Sequence, residues 1–510
     1  MSAPLARSIL CAMAVAGFAA TALAGKPPVF VEVFEMPSLA IAGKQIEITG
    51  QVAGSKLPES LSVTIQQYDA AGGKWVGIKT IDLAPDGESA SFAAKIDLKK
   101  PQEPAKGPWA VSFRASLSVG KEPLPAQTSA VAHVTLLDRK CRVLLVASRP
   151  MFEYRYLSNL LLARSEMFSV TTFLQSADAD ANADVSSGPV PSSLPTDAAD
   201  LVGDGDKKPG FDVVILLDPR LEPGKVDEKF FRAVDTAVRD KGLGLVYVAS
   251  DRNTMTLLDG SNKDIECLRK LVGAARTEST KSDDDRAAKP LAVEVSDDGR
   301  CHPVMRLQQT RSVAAGAQLP GIYFRSIHPD PKSDSTILAT VSASQPAATA
   351  ASGPLPPAAT APAPEAGASP VVWTRQAGAG RVVVFATDEM WRWRAILDSS
   401  IYNALWTDAI QFTAVPSDYQ IHAGRTVLAA GDQTALSVLA KGGKDLPATL
   451  VLEAVNIADP AAKPQGIEVK LDAKTLTYRG QWKAGGDGLF RISIAKDGPV
   501  GVCPVWVVVR

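Results

Sequence analysis

The sequence predicts an α/β fold: a central domain built on a largely parallel sheet, set between two β-sandwich domains. Three observations predict it. Residues 29–137 and 417–510 hold short, often alternating apolar runs broken by turn-forming residues, the mark of strands with one buried face. Between them lie continuous apolar runs such as Val143-Leu144-Leu145-Val146, which suit strands covered on both faces. Those runs alternate with segments of helical spacing, as where parallel strands are joined by crossover helices.

At the N-terminus, Arg7 is the sole early charge, Ile9 to Ala20 form an apolar, alanine-rich stretch, and Ala22-Leu23-Ala24 fits the small-x-small rule for cleavage. Residues 1–24 therefore read as a signal peptide, with Gly25 opening the mature chain. The protein is expected in the periplasm or otherwise outside the cytoplasm. The competing reading is a membrane anchor, but the stretch is short against the roughly 20 residues that a span needs. Membrane contact is expected only if the segment stays uncleaved.

Residues 25–138 carry the runs Val29 to Val33, Gln45 to Ile48, Leu61 to Ile65 and Ala110 to Phe113, with turns at Ala71-Gly72-Gly73 and Pro85-Asp86-Gly87. Their near-regular spacing suggests an immunoglobulin-like β-sandwich. Residues 139–416 alternate strand and helix. Strands are expected at Val143 to Val146, Ser169 to Leu174, Asp212 to Leu217, Gly244 to Val248 and Arg381 to Ala386. Helices are expected at 154–164, Asp227 to Arg239, Asp264 to Val272 and Ser399 to Phe412. Two insertions, 178–209 and 346–370, are too rich in Asp, Ser, Pro, Gly and Ala to bury a core and are expected to be disordered. Residues 417–510 return to β signals, with a strong turn at Gly485-Gly486-Asp487-Gly488, and read as a second, smaller β-sandwich.

Charge and cysteines narrow the function. The 510 residues hold 54 Lys and Arg against 55 Asp and Glu, a net charge of -1, so no basic field exists to attract nucleic acid. Beyond the signal segment lie Cys141, Cys267, Cys301 and Cys503. Export permits disulfides, but wide spacings leave all three full pairings open, and free thiols equally. No close Cys or His pair suggests zinc. Asp178, Asp180 and Asp184 lack the mid-loop glycine and closing glutamate of a calcium loop. No metal or cofactor is expected.

Candidate chemistry gathers where open α/β sheets place ligands, beyond the C-terminal ends of the strands. There stand Arg149-Pro150-Met151-Phe152-Glu153-Tyr154-Arg155, then Asp218-Pro219-Arg220, then Thr387-Asp388-Glu389-Met390-Trp391-Arg392-Trp393-Arg394. Tryptophans beside arginines can clamp a planar or anionic group. The plainer reading is that these residues lock loops onto the sheet through Arg–Asp pairs and aromatic packing.

Several of these stretches together resemble the class I glutamine amidotransferase-like domains of bacterial envelope proteins, many of them associated with von Willebrand factor A-type proteins. The resemblance runs over roughly 140–415. It rests on Val143 to Val146 leading to Arg149-Pro150 and Glu153 to Leu157, on Gly244 to Ala249, on His302 to Leu307, and on Gly380 to Asp388 with Trp391 to Arg394. It implies a flavodoxin-like sheet flanked by helices. It does not imply glutaminase activity, which needs an activated cysteine on a tight strand-to-helix turn. After the strand ending at Val248 the chain reads Ala249-Ser250-Asp251-Arg252, without cysteine or flanking glycines. Ser250 is a possible hydroxyl nucleophile, with His302 or His328 brought near only by folding. Cys301-His302 is adjacent in sequence, a poor geometry for a dyad.

The expected function is thus an exported, non-enzymatic envelope protein, a scaffold or a binder of an envelope protein partner or of a small-molecule or peptide ligand. The cleft would be made by Arg149, Glu153, Arg155, Asp218, Ser250, Asp388, Trp391, Arg392 and Trp393. The alternatives are a hydrolase using Ser250, or a water activated by Glu153 or Asp388, and a carbohydrate-binding protein using exposed tryptophan rings.

Overall fold

A computed structural model of the chain describes residues 29–37, 39–69, 73–99, 109–177, 193–204, 208–258, 260, 262–274, 290–296, 298–299, 302–305, 319–330, 335–342, 369–395, 399–414, 419–440, 446–457, 462–473, 476–495 and 504–509. Residues 1–24, expected to be a signal segment, and Asp178, Asp180, Asp184, Cys301, Cys503 and most of both expected insertions lie outside the described residues.

The N-terminal strands are β1 (Val29–Glu35), β2 (Leu39–Ile41), β3 (Gln45–Gly54), β4 (Leu61–Asp69), β5 (Lys74–Asp82), β6 (Ser89–Asp97), β7 (Trp109–Val119), β8 (Glu122–Pro123) and β9 (Ala130–Leu137). They form a three-stranded sheet, β1-β3-β6, and a second sheet ordered β2-β9-β7-β4-β5 with β8 on β7. Strict alternation in β3 and β6 turns Ile46, Ile48, Val52, Phe92, Ala94 and Ile96 into a core shared with Val63, Ile65, Phe113 and Leu117 of the other sheet.

The central elements are β10 (Cys141–Ala147), α1 (Phe152–Ala163), β11 (Phe168–Leu174), α2 (Ala198–Val202), β12 (Gly203–Asp204), β13 (Lys208–Pro209), β14 (Val213–Leu217), α3 (Glu228–Lys241), β15 (Gly244–Val248), α4 (Thr254–Leu258), α5 (Glu266–Val272), β16 (Ala292–Val295), β17 (Thr336–Ser342), β18 (Ser369–Ala377), β19 (Gly380–Phe385) and α6 (Ser400–Ala414). One eight-stranded sheet runs β11-β10-β14-β15-β19-β18-β17-β16. Its first five strands pair in parallel, and β16, β17 and β18 join them antiparallel. Every residue of β14, β15 and β19 is buried, which explains why these strands read as unbroken apolar runs. Helix α3 shows ordinary helix grammar. The Asp227 side chain accepts from the Phe230 amide, Phe230, Phe231, Val234, Ala237 and Val238 face inward, and Gly242 closes the helix in the left-handed conformation.

The C-terminal strands are β20 (Tyr419–Ala423), β21 (Val427–Leu428), β22 (Gln433–Ala440), β23 (Thr449–Asn456), β24 (Gln465–Asp472), β25 (Thr477–Lys483), β26 (Gly488–Ile494) and β27 (Val505–Val509). They make one continuous sheet, β20-β22-β25-β24-β23-β26-β27-β21, rather than two facing ones.

These findings correct the expected fold class. Among the described residues the protein is mostly β, with 49% strand against 21% helix, in four main sheets of which one is a curled half-barrel. It is not a helix-flanked parallel flavodoxin-like domain between immunoglobulin-like sandwiches. Three of the eight central strands are antiparallel, and few helices cover that sheet. The second sandwich is replaced by the single C-terminal sheet. Part of the segment expected to be an insertion is also ordered: α2 folds with Asp197 capping the Ala199 amide, and Leu201 is fully buried. The two described cysteines, Cys141 and Cys267, are free.

Strand β15, which carries Ser250 beyond its end, starts at a tight approach. A Cβ on Gly244 would come within 2.7 Å of Thr413 backbone and side-chain atoms near the end of α6. Gly244→Ala is expected to lower unfolding stability by about 2 kcal/mol through overpacking, read as a lower urea midpoint at unchanged slope.

Candidate functional site

The parallel strands deliver four loops to one end of the central sheet: 148–151 after β10, 218–220 after β14, 249–253 after β15 and 386–395 after β19. A cleft of about 590 Å³ opens there, lined by Arg149, Pro150, Met151, Phe152, Arg155, Asp388, Glu389, Trp391 and Arg392. Of the nine expected cleft residues, Arg149, Arg155, Asp388, Trp391 and Arg392 line it. Glu153, Asp218, Ser250 and Trp393 do not, and each is fully buried.

Those buried groups have definite work in the fold. Glu153, in the first turn of α1, accepts from the Trp391 amide at 2.8 Å, the Tyr402 hydroxyl at 2.9 Å and the Trp406 indole at 3.0 Å. It thereby ties α1 to the loop after β19 and to α6. Burial pushes its carboxyl up to about 8, against the opposing pull of the Tyr402 and Trp391 hydrogen bonds. Asp218 sits at φ 43, a left-handed conformation uncommon outside glycine. From there it accepts from the Thr254 amide and hydroxyl, both at 2.8 Å, and from the Asn253 side chain at 2.9 Å. It anchors the start of α4, and burial raises its carboxyl to about 6. The Trp393 indole donates to the Pro320 carbonyl at 3.0 Å. A tryptophan so enclosed cannot stack on a sugar, which removes half of the aromatic pair that the carbohydrate reading required.

Ser250 lies under the cleft floor. Its hydroxyl is 2.8 Å from Asp388 Oδ2 and 3.0 Å from Asp251 Oδ1. A hydroxyl has one proton to donate, so two ionised carboxylates cannot both be satisfied by it. Burial raises the Asp388 carboxyl, which favours holding the extra proton there. The histidines take no part: His302 packs edge-on against Phe412, and His328 lies beside Arg325.

What faces the cleft is cationic and aromatic. Phe152 is 57% exposed and packs 4.9 Å from Trp391 and 6.3 Å from Tyr156. The Arg392 guanidinium lies 4.6 Å from the Trp391 ring centre and 4.7 Å from that of Tyr323, and pairs with Glu389 at 3.1 Å. Arg394 sits 3.8 Å over Tyr156. Glu389 is held by the Tyr323 and Phe324 amides as well as by Arg392. Phe152 and Glu389 were visible in the sequence as neighbours of the chosen residues, but the exposure of Phe152 and the burial of Glu389 were not. Tyr323 comes from an irregular segment whose local pattern carries no signal.

Among the described residues, no helix is long and apolar enough to cross a membrane, and no cluster of His, Cys, Asp and Glu is arranged to hold a metal. No family model and no curated protein matches the chain. Solved structures match small parts of it. The CARDB domain of the PF1109 protein from Pyrococcus furiosus is 14% identical over 22% of this chain and 96% of its own, with a TM-score of 0.17. The superoxide reductase of Ignicoccus hospitalis is 13% identical over 21% of this chain and 81% of its own, with a TM-score of 0.15. OgpA of Akkermansia muciniphila is 18% identical over 22% of this chain and 29% of its own, with a TM-score of 0.16.

Proposed function

We propose that this is an exported, non-enzymatic envelope protein that binds a ligand or a partner segment in the cleft beyond the central strands. One observation carries the reading. The acids and the hydroxyl that catalysis would recruit are engaged in holding the fold, whereas arginines and aromatic rings line the opening.

The test is a melting-shift screen of the full chain against amino acids, peptides, sugars and aromatic acids, with product analysis of every mixture. A ligand that binds only the folded state raises the melting temperature. The expected result is a shift, reduced in Trp391→Ala, with no product formed. Export has its own test: the chain recovered from expressing cells should begin at Gly25, and a chain that retains residues 1–24 would contradict that proposal.

A single contact favours the hydrolase reading, the 2.8 Å approach of Asp388 to Ser250. If that pair is catalytic, Ser250→Ala abolishes turnover of an ester or amide while the fold persists. If it is structural, as proposed, no turnover exists to lose and the substitution lowers only stability, by about 1 kcal/mol.

A further inference from the structure

We propose that the cleft takes a small ligand with an anionic head, carboxylate or phosphate, carried on a flat ring. The proposal rests on the reading of the cleft as a binding site and adds the class of its ligand.

Three arginines line the opening, and they differ in how they are held. Arg392 is fixed by Glu389 and sandwiched between the Trp391 and Tyr323 rings. Arg149 touches Asp251 only at 3.4 Å. Arg155 is exposed and has no carboxylate partner among the described residues. The acids around the opening offset part of this charge, Glu389 against Arg392 and Asp251 against Arg149, and leave Arg155 without a carboxylate among the described residues. Glu389 is buried and already engaged by two backbone amides and Arg392, while Asp388 faces Ser250. The opening thus presents one guanidinium, Arg155, with no described carboxylate against it, beside Arg149, which a carboxylate meets at 3.4 Å. A planar fork of donors matches a carboxylate or phosphate better than a neutral group.

The aromatic half is equally specific. Phe152, Tyr156 and Trp391 form one cluster at the mouth, and Phe152 is 57% exposed. A flat ring laid on Phe152 and Trp391 would cover that surface and keep its anionic substituent among the arginines. The volume of about 590 Å³ is that of small-molecule sites and is large for a bare ion.

The probes are indole-3-acetate and phenyl phosphate, with acetate and inorganic phosphate as heads without rings and indole-3-acetamide as a ring with a neutral head. Binding to the full chain is measured by calorimetry and melting shift. At least one ring-bearing anion should bind, and the tighter of the two identifies the head. Arg155→Ala should weaken it about tenfold, the loss of one charge-assisted contact, and Phe152→Ala several-fold. Both side chains are exposed, so both variants should melt as the parent does without ligand. Equal binding of the acetamide overturns the anionic head. Equal binding of the bare heads overturns the ring, and failure of both ring-bearing anions overturns the class. A neutral sugar or a peptide that binds in their place, and is lost in Trp391→Ala, would sink this ligand class yet leave the binding reading standing. Release of phenol from phenyl phosphate would sink the non-catalytic reading instead.

Discussion

Replacing Glu153 by alanine should lower the unfolding free energy by about 3 kcal/mol or more, the largest effect expected of any residue near the cleft. The substitution strips three buried donors, the Trp391 amide, the Tyr402 hydroxyl and the Trp406 indole, of their acceptor at once. It also releases the cleft wall, since Trp391 is positioned through that amide. The same residue sets a pH dependence. Its carboxyl is pushed up to about 8 by burial, whereas an unfolded glutamate titrates at about 4.3, so the native state keeps a proton that the unfolded chain releases. The stabilisation tied to that proton is complete below about pH 4.3 and is lost as pH rises through about 8. Asp218, raised to about 6, acts in the same sense over the lower part of that window. Urea midpoints across this range should fall with rising pH from this source, and Glu153→Gln, which cannot ionise, should flatten the trend at a cost of about 1 kcal/mol. An unchanged slope in Glu153→Gln would show that the carboxyl is ionised throughout.

Trp506→Ala is expected to cost about 3 to 5 kcal/mol. Trp506 lies in β27, near the end of the chain, yet its ring meets Tyr68 at 5.1 Å and Trp75 at 4.8 Å, both from the N-terminal strands. Its indole donates to Ser112 at 3.2 Å, Arg491 donates to the Tyr68 hydroxyl, and Arg114 lies over Trp75. With Leu489 and Val508 these groups form a small core of their own, which joins the second N-terminal sheet to the C-terminal sheet. Removing the central ring leaves a cavity between elements more than four hundred residues apart in sequence. The melting temperature should drop, and limited proteolysis should reach the joint before the central sheet. Trp506→Phe should recover part of the loss by refilling the volume without the Ser112 hydrogen bond. Unchanged melting in Trp506→Ala would mean that the joint contributes little to holding the chain together.

Local pattern in the sequence carries some elements well and others not at all. Apolar runs such as Val213 to Leu217 and Gly244 to Val248 are buried along their whole length, and the signals of Asp227 and Gly242 bracket α3 as helix caps do. What local pattern cannot show is how strands are ordered and covered. β17 and β18 pair antiparallel between β19 and β16, which converts the expected parallel sheet into a mixed one. β18 was not expected at all, because Pro370, Arg375 and Gln376 blur its apolar stretch, although five of its residues are fully or nearly buried. The single C-terminal sheet likewise depends on which edges meet, and alternation is the same for one curled sheet as for two facing ones.

The cleft was legible to a similar extent. The loops after the strands do line a cleft, but residue type alone did not tell lining from support. Glu153 and Trp393 stand among cleft residues in sequence and turn inward to satisfy Tyr402, Trp406 and Pro320. Phe152 turns outward although it is the more apolar neighbour. Helical position decides this, since residues 152 and 153 are successive on α1 and cannot face the same way.

The central claim, that acids beneath the cleft hold the fold while arginines and rings above it hold a ligand, is tested most directly by measuring stability and ligand-induced melting shift side by side in four variants. With indole-3-acetate as ligand, Glu153→Gln and Ser250→Ala should lower the melting temperature and keep the shift, whereas Arg155→Ala and Trp391→Ala should keep most of the stability and lose most of the shift. A Ser250→Ala protein that melts as the parent does but loses turnover of any ester, amide or glycoside would contradict the account and place catalysis at Ser250.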